Sequence, residues 1–141
     1  MSATRAKLLR GAPYFPVADV AAAGAYYHDV YGFELEYSGG TPPEFAVYSR
    51  DGCALMLKRV TDASRIHPNE AQGGTWDVFF WVANVDALYD ELRGRGAVFA
   101  YEPTVQPYGV KEFAARDPLG YVLGFGESWP PVASSPNPTS R

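Results

Sequence analysis

The chain states one pattern twice. Val17-Ala18-Asp19-Val20 opens a helix-like stretch, and Val82-Ala83-Asn84-Val85 opens another. The first copy closes on Asp51-Gly52 and Ala54-Leu55-Met56-Leu57. The second closes on Asp117-Pro118-Leu119-Gly120 and Tyr121-Val122-Leu123-Gly124-Phe125. Such self-similarity restricts the fold to one supersecondary unit used twice. Two half-sheets that face each other enclose a cleft, and a ligand is expected there.

Each copy reads β-α-β-β-β. In the first, Ala12 to Val17 is a strand and Asp19 caps a helix with Val20, Ala23, Tyr27 and Val30 on its apolar stripe. Gly32 stops that helix. Phe33 to Tyr37, Phe45 to Ser49 and Cys53 to Lys58 are strands, the last two joined by Asp51-Gly52, a pair suited to a two-residue hairpin. In the second, Asp77 to Val82 is a strand and Asn84 a cap. Val85, Leu88, Tyr89 and Leu92 are the buried stripe of a helix ending near Gly94 and Gly96, and Val98 to Tyr101 is a strand. Lys111 to Arg116 and Tyr121 to Gly126 form a hairpin across a four-residue turn, which sets Ala115 against Val122 and Phe113 against Gly124.

Alternation along the strands separates two faces. Val78, Phe80, Val82, Leu123, Phe125, Leu55 and Leu57 are expected under the helices. Phe45, Val47, Met56, Asp77, Phe79, Trp81 and Phe113, with Tyr108 nearby, are expected on the concave side as the ligand-binding set. Asp77 has several readings: a general base if the aromatic wall desolvates it, an anchor for a cation in an aromatic cup, an ion-pair partner of Lys58 or Lys111, or an exposed residue at the cleft mouth.

At 141 residues the chain is long enough for one domain with a real core. We place a lead at 1–10, the domain at 11–127 (modules at about 11–60 and 76–127) and a Pro/Ser-rich tail at 128–141. The tail is read as flexible, or as an arm on a neighbour. A formal charge of −4 argues against nucleic acid and mildly favours cationic ligands. The lone Cys53 excludes an internal disulfide and is read as a small core residue. No signal peptide and no membrane-spanning run is apparent, so the expected location is cytoplasmic. No glycine-rich phosphate loop or nucleophile elbow appears.

The combination of Phe15-Pro16-Val17-Ala18-Asp19-Val20, Tyr26-Tyr27-His28-Asp29-Val30-Tyr31-Gly32-Phe33, Val82-Ala83-Asn84-Val85-Asp86-Ala87-Leu88 and Phe113 through Leu123 resembles the vicinal oxygen chelate superfamily. That superfamily holds glyoxalase I, extradiol dioxygenases, fosfomycin-resistance enzymes and bleomycin-resistance proteins. The resemblance spans roughly Gly11 to Glu127. It implies an α+β fold of two tandem βαβββ modules in a split eight-stranded barrel around a cleft, helices outside, often as a homodimer. It also implies three metal-ligand positions in the enzymes, which fall here on Ala12, Asp77 and Gly124. Only Asp77 is a donor, so no catalytic residue and no metal are predicted, with Asp77 and Glu127 as fallback ligands should a bulge turn Glu127 inward. His28 and His67 read as solvated. The functional expectation is a glyoxalase/bleomycin-resistance-like protein. It would sequester a planar or cationic drug or metabolite in an aromatic cleft, an antibiotic-resistance role. The alternative is a metal-dependent glyoxalase-like lyase, isomerase or dioxygenase with an atypical site.

Overall fold

The structure, a computed structural model, describes residues 4–131. The chain divides into two compact units, Met1–His67 and Pro68–Arg141.

The first unit runs β1 (Tyr14–Val17), α1 (Val20–Tyr31), β2 (Glu34–Gly39), β3 (Phe45–Arg50) and β4 (Cys53–Arg59). Its sheet has the order β1-β4-β3-β2, with β1 parallel to β4 and the other pairs antiparallel. The second unit runs β5 (Val78–Trp81), α2 (Val85–Gly94), β6 (Val98–Gln106), β7 (Val110–Arg116) and β8 (Val122–Ser128). Its sheet repeats the scheme as β5-β8-β7-β6. The duplicated βαβββ module is therefore present. Short 3-10 turns at Ala63–Arg65 and Asn69–Gln72 occupy the segment between the modules.

Local chemistry sets the element ends. The Asp19 carboxylate accepts from the Ala22 N–H at 3.0 Å and caps α1. Gly32, at φ 73°, ends it and donates its N–H to the His28 carbonyl at 3.1 Å. Asp51 and Gly52 both take positive φ, as a two-residue hairpin needs. That tight turn leaves Cys53 exposed at the first pair of the ladder, opposite Arg50. The expectation of a core cysteine is thus corrected.

In the first module Phe15, Val17, Ala46, Leu55 and Leu57 are buried, and the Tyr27 ring of α1 packs 6.3 Å from Phe15. Leu55 and Leu57 are wholly buried, each worth about 1.5–3 kcal/mol. In the second module Phe80, Phe113 and Phe125 form a stack, with Phe80–Phe125 at 5.7 Å and Phe113–Phe125 at 5.1 Å. Tyr89 of α2 meets Phe113 edge-on at 5.4 Å.

Phe113 is therefore a core residue, contrary to the concave placement expected for it. The cause is one residue of register. Asp117 N–H bonds the Tyr121 carbonyl, Gly120 N–H bonds the Asp117 carbonyl, and Gly120 sits at φ 90°. The loop is therefore the three residues Pro118–Gly120, a turn closed by a left-handed glycine. Asp117 Oδ1 adds hydrogen bonds from the Leu119 and Tyr121 N–H groups, each 2.9 Å. Arg116 then pairs with Val122 and Phe113 with Phe125, and a one-residue slip exchanges the faces.

The boundary at 128 also moves. Ser128 pairs with Val110, and Trp129 N–H donates to the Gly109 carbonyl at 2.8 Å, so the sheet extends into the start of the expected tail. The rest of that tail, 132–141, lies outside the described residues.

Ahead of β1, Arg10 forms a two-pronged pair with Glu36 of β2, both contacts 2.7 Å. Hydrogen bonds from Arg10, then from Ser49, lower the Glu36 pKa from 4.5 to about 2. A depressed carboxylate stabilises the fold above its ordinary value and ceases to do so as pH falls toward the folded value. Side-chain carboxyl NMR is expected to show a Glu36 midpoint near 2 that returns toward 4.5 in Arg10→Ala; an unchanged midpoint would show that the pair does not persist in solution.

Candidate functional site

Both sheets present the face opposite their helix as an aromatic surface. In the first module Tyr14, Met56, Val47 and Tyr37 lie in one cross-strand row. Phe45 stands in the next, its ring 6.5 Å from Tyr14 and 6.3 Å from Tyr37. Three predicted residues, Phe45, Val47 and Met56, are thus brought together. Tyr14 and Tyr37, each more than half exposed, join them.

The second module carries the richer surface. Phe79, Gly124, Ala114 and Tyr101 form one row; Trp81, Gly126, Glu112 and Thr104 form the next. Two glycines side by side leave a trough in the middle of the sheet. Aromatic rings fill it. A Cβ placed on Gly124 would meet Trp76 Cδ1 at 2.6 Å and Phe79 Cδ1 at 2.7 Å. One placed on Gly126 would meet Phe79 Cζ at 2.5 Å. The rings run on as a shelf, Trp76–Phe79 at 4.7 Å and Phe79–Trp81 at 5.1 Å, with Trp81 66% exposed.

A hydrogen-bond chain fixes the inner end of the shelf. Trp76 Nε1–H donates to the Tyr101 hydroxyl at 2.9 Å, and Tyr101 donates to Glu112 Oε2 at 2.5 Å. The Tyr108 hydroxyl donates to Glu112 Oε1 at 2.7 Å. Burial, then the bond to Glu112, pushes the Tyr101 phenol up. Partial burial, then the bond to Glu112, pushes Tyr108 up to about 12. Because the Tyr108 ring is 61% exposed, its bond to Glu112 is the firmer of the two causes.

Phe79 and Trp81 thus share this face, Tyr108 is tied to it through Glu112, and Phe113 lies on the other side of the sheet. Asp77 is spent on the backbone. Its oxygens accept from the Asn69 and Val122 N–H groups, both at 2.8 Å, tying the second 3-10 turn to the start of β8. Neither lysine proposed for it is its partner: Lys58 faces Glu44 and Lys111 faces Asp86. Trp76, Tyr101 and Glu112 were missed. The alternating glycines of β8 were the available signal, since two absent side chains on one buried strand require something else to fill the space.

The residues do not fit the metal that the enzymes of the family hold. The Gly124 position is covered by the Trp76 ring. Glu127 turns to the helix side, where Oε1 accepts from the Val85 N–H at 2.9 Å. Among the described residues, no three His, Cys, Asp or Glu side chains gather as ligands.

No curated protein matches the sequence. Among solved structures, TioX from Micromonospora sp. ML1 is 20% identical with a TM-score of 0.68, covering 84% of this chain and 98% of that one. The bleomycin-binding protein of bleomycin-producing Streptomyces verticillus, solved with copper(II)-bleomycin, is 25% identical with a TM-score of 0.65, covering 86% and 97%. A glyoxalase/bleomycin resistance protein/dioxygenase from Alicyclobacillus acidocaldarius is 17% identical with a TM-score of 0.70, covering 85% and 91%. A family description matches residues 11–125, four-fifths of the chain and both repeats, so the protein belongs to the Glyoxalase/Bleomycin resistance protein/Dioxygenase superfamily.

Proposed function

We propose that this protein binds a small planar or cationic molecule, a drug or a metabolite, on the aromatic face of its second module, and does so without metal chemistry. The observation that carries this reading is the Trp76–Phe79–Trp81 shelf. Its outer indole is two-thirds exposed, although apolar surface of that size is normally buried. Flat rings present faces to flat or positively charged groups. The bleomycin-binding relative supports a binding role over a catalytic one. The diversion of Asp77 and Glu127 to backbone N–H groups supports a metal-free site. In the first module Phe45, Val47 and Met56, with Tyr14 and Tyr37, are the corresponding candidates for apolar contact. Homodimerisation belongs to the same proposal and is checked by light scattering.

The test is tryptophan fluorescence during titration with metal-free bleomycin. We expect quenching, and in Trp81→Ala an affinity about tenfold weaker. No quenching at high micromolar ligand would reject this ligand class. Stoichiometric zinc, nickel, manganese or iron in protein purified without chelator would reject the metal-free reading.

A further inference from the structure

Glu112 does something that an aromatic shelf alone does not require. It is 1% exposed, and among the described residues no Lys, Arg or His forms an ion pair with it. A buried carboxyl group without a cation is costly to the fold. Its cross-strand partner on β8 is Gly126, and the Phe79 ring and the Val110 side chain fill the space that a side chain there would take. Its two oxygens have unlike donors. Oε2 is held by Tyr101, which Trp76 locks in place. Oε1 is held by Tyr108, which sits on the turn between β6 and β7 with most of its surface in water.

We propose that Glu112 is the anchor for the cationic head of the ligand, and that the head replaces the Tyr108 hydroxyl on Oε1. The exchange is favourable in direction. A cationic N–H donor adds the attraction of opposite charges to its hydrogen bond with the carboxylate, which a neutral phenol does not. The displaced hydroxyl loses little, since the Tyr108 side chain is mostly exposed and water can take the place of Glu112 as its acceptor. Trp81 lies in the same cross-strand row, on the far side of Gly126, where the shelf can take the aromatic body of the ligand. The ligand class is therefore a flat cation with N–H donors: an amidinium, a guanidinium or a primary ammonium on an aromatic body. A quaternary ammonium has no N–H to give and does not qualify. This inference rests on the binding role proposed above and names the head group that role selects.

The experiment compares 2-naphthamidine with 2-naphthamide, which share shape and differ in charge, by calorimetry at neutral pH. The cation is expected to bind about tenfold more tightly. In Glu112→Gln the two should come within about twofold of each other, chiefly by loss of amidine affinity. In Tyr108→Phe the free protein has an unsatisfied Oε1 that the cation relieves, so amidine affinity should rise about tenfold. Equal affinities in the unaltered protein would overturn the Glu112 anchor and leave the aromatic shelf standing. A preference that survives Glu112→Gln would do the same. Binding of neither probe would overturn both readings. Should Glu112→Gln fail to fold, the unaltered protein and Tyr108→Phe still decide.

Discussion

Phe113→Ala is expected to destabilise the protein by about 3–5 kcal/mol while leaving the affinity of a protein that still folds within about twofold. The ring is wholly buried and touches three others, Tyr89, Phe99 and Phe125, at 5.1 to 5.8 Å. Alanine leaves a cavity among aromatic walls that cannot collapse without moving α2. Urea denaturation gives the loss, and ligand titration below the unfolding midpoint gives the affinity. Affinity lost without stability would return Phe113 to the open face and contradict the strand register.

The second large effect belongs to Gly124. Gly124→Val places methyl groups where the Trp76 and Phe79 rings now lie, and both must leave the trough. We expect a stability loss of about 1–3 kcal/mol, the usual range for overpacking. The larger consequence is for the shelf. Moving the indole breaks its bond to Tyr101 and exposes it, so tryptophan emission should shift red. Ligand affinity should fall at least about tenfold, because the ring contacts that hold Trp76, Phe79 and Trp81 together as a surface are lost. Unchanged emission and affinity would mean that the glycine trough does not position the rings.

These two residues also mark how far the sequence could be read. Helices and strands were legible because their punctuation is local: Asp19 and Gly32 around α1, and Asp51-Gly52 between β3 and β4. The helix-facing Val78, Phe80, Leu55 and Leu57 followed from period 2 alone. The face of β7 did not. It depends on whether the loop after Arg116 holds three residues or four, and that turns on the positive φ of Gly120. A four-residue turn would set Phe113 on the concave face, whereas the three-residue loop sets Glu112 there. The sequence pattern ends a strand at Tyr101, whereas β6 continues to Gln106. Register shifts between Phe99 and Tyr101 and between Tyr101 and Thr104, with Pro103 inside the second, break the alternation that would have revealed it. Asp77 misled for another reason. Its residue type fits a cation anchor, and only the path of residues 69–77 shows both oxygens consumed by backbone donors.

The three-residue loop at Pro118–Gly120 has a consequence for how this sequence can vary. Elsewhere in a protein, losing or gaining one loop residue is usually absorbed at the surface. Here a single-codon insertion or deletion would turn every side chain of β7 over. Glu112 would be driven toward the helix and Phe113 into water, so core and candidate site would fail together. Substitution at the site is open to gradual change, whereas the length of this turn is not.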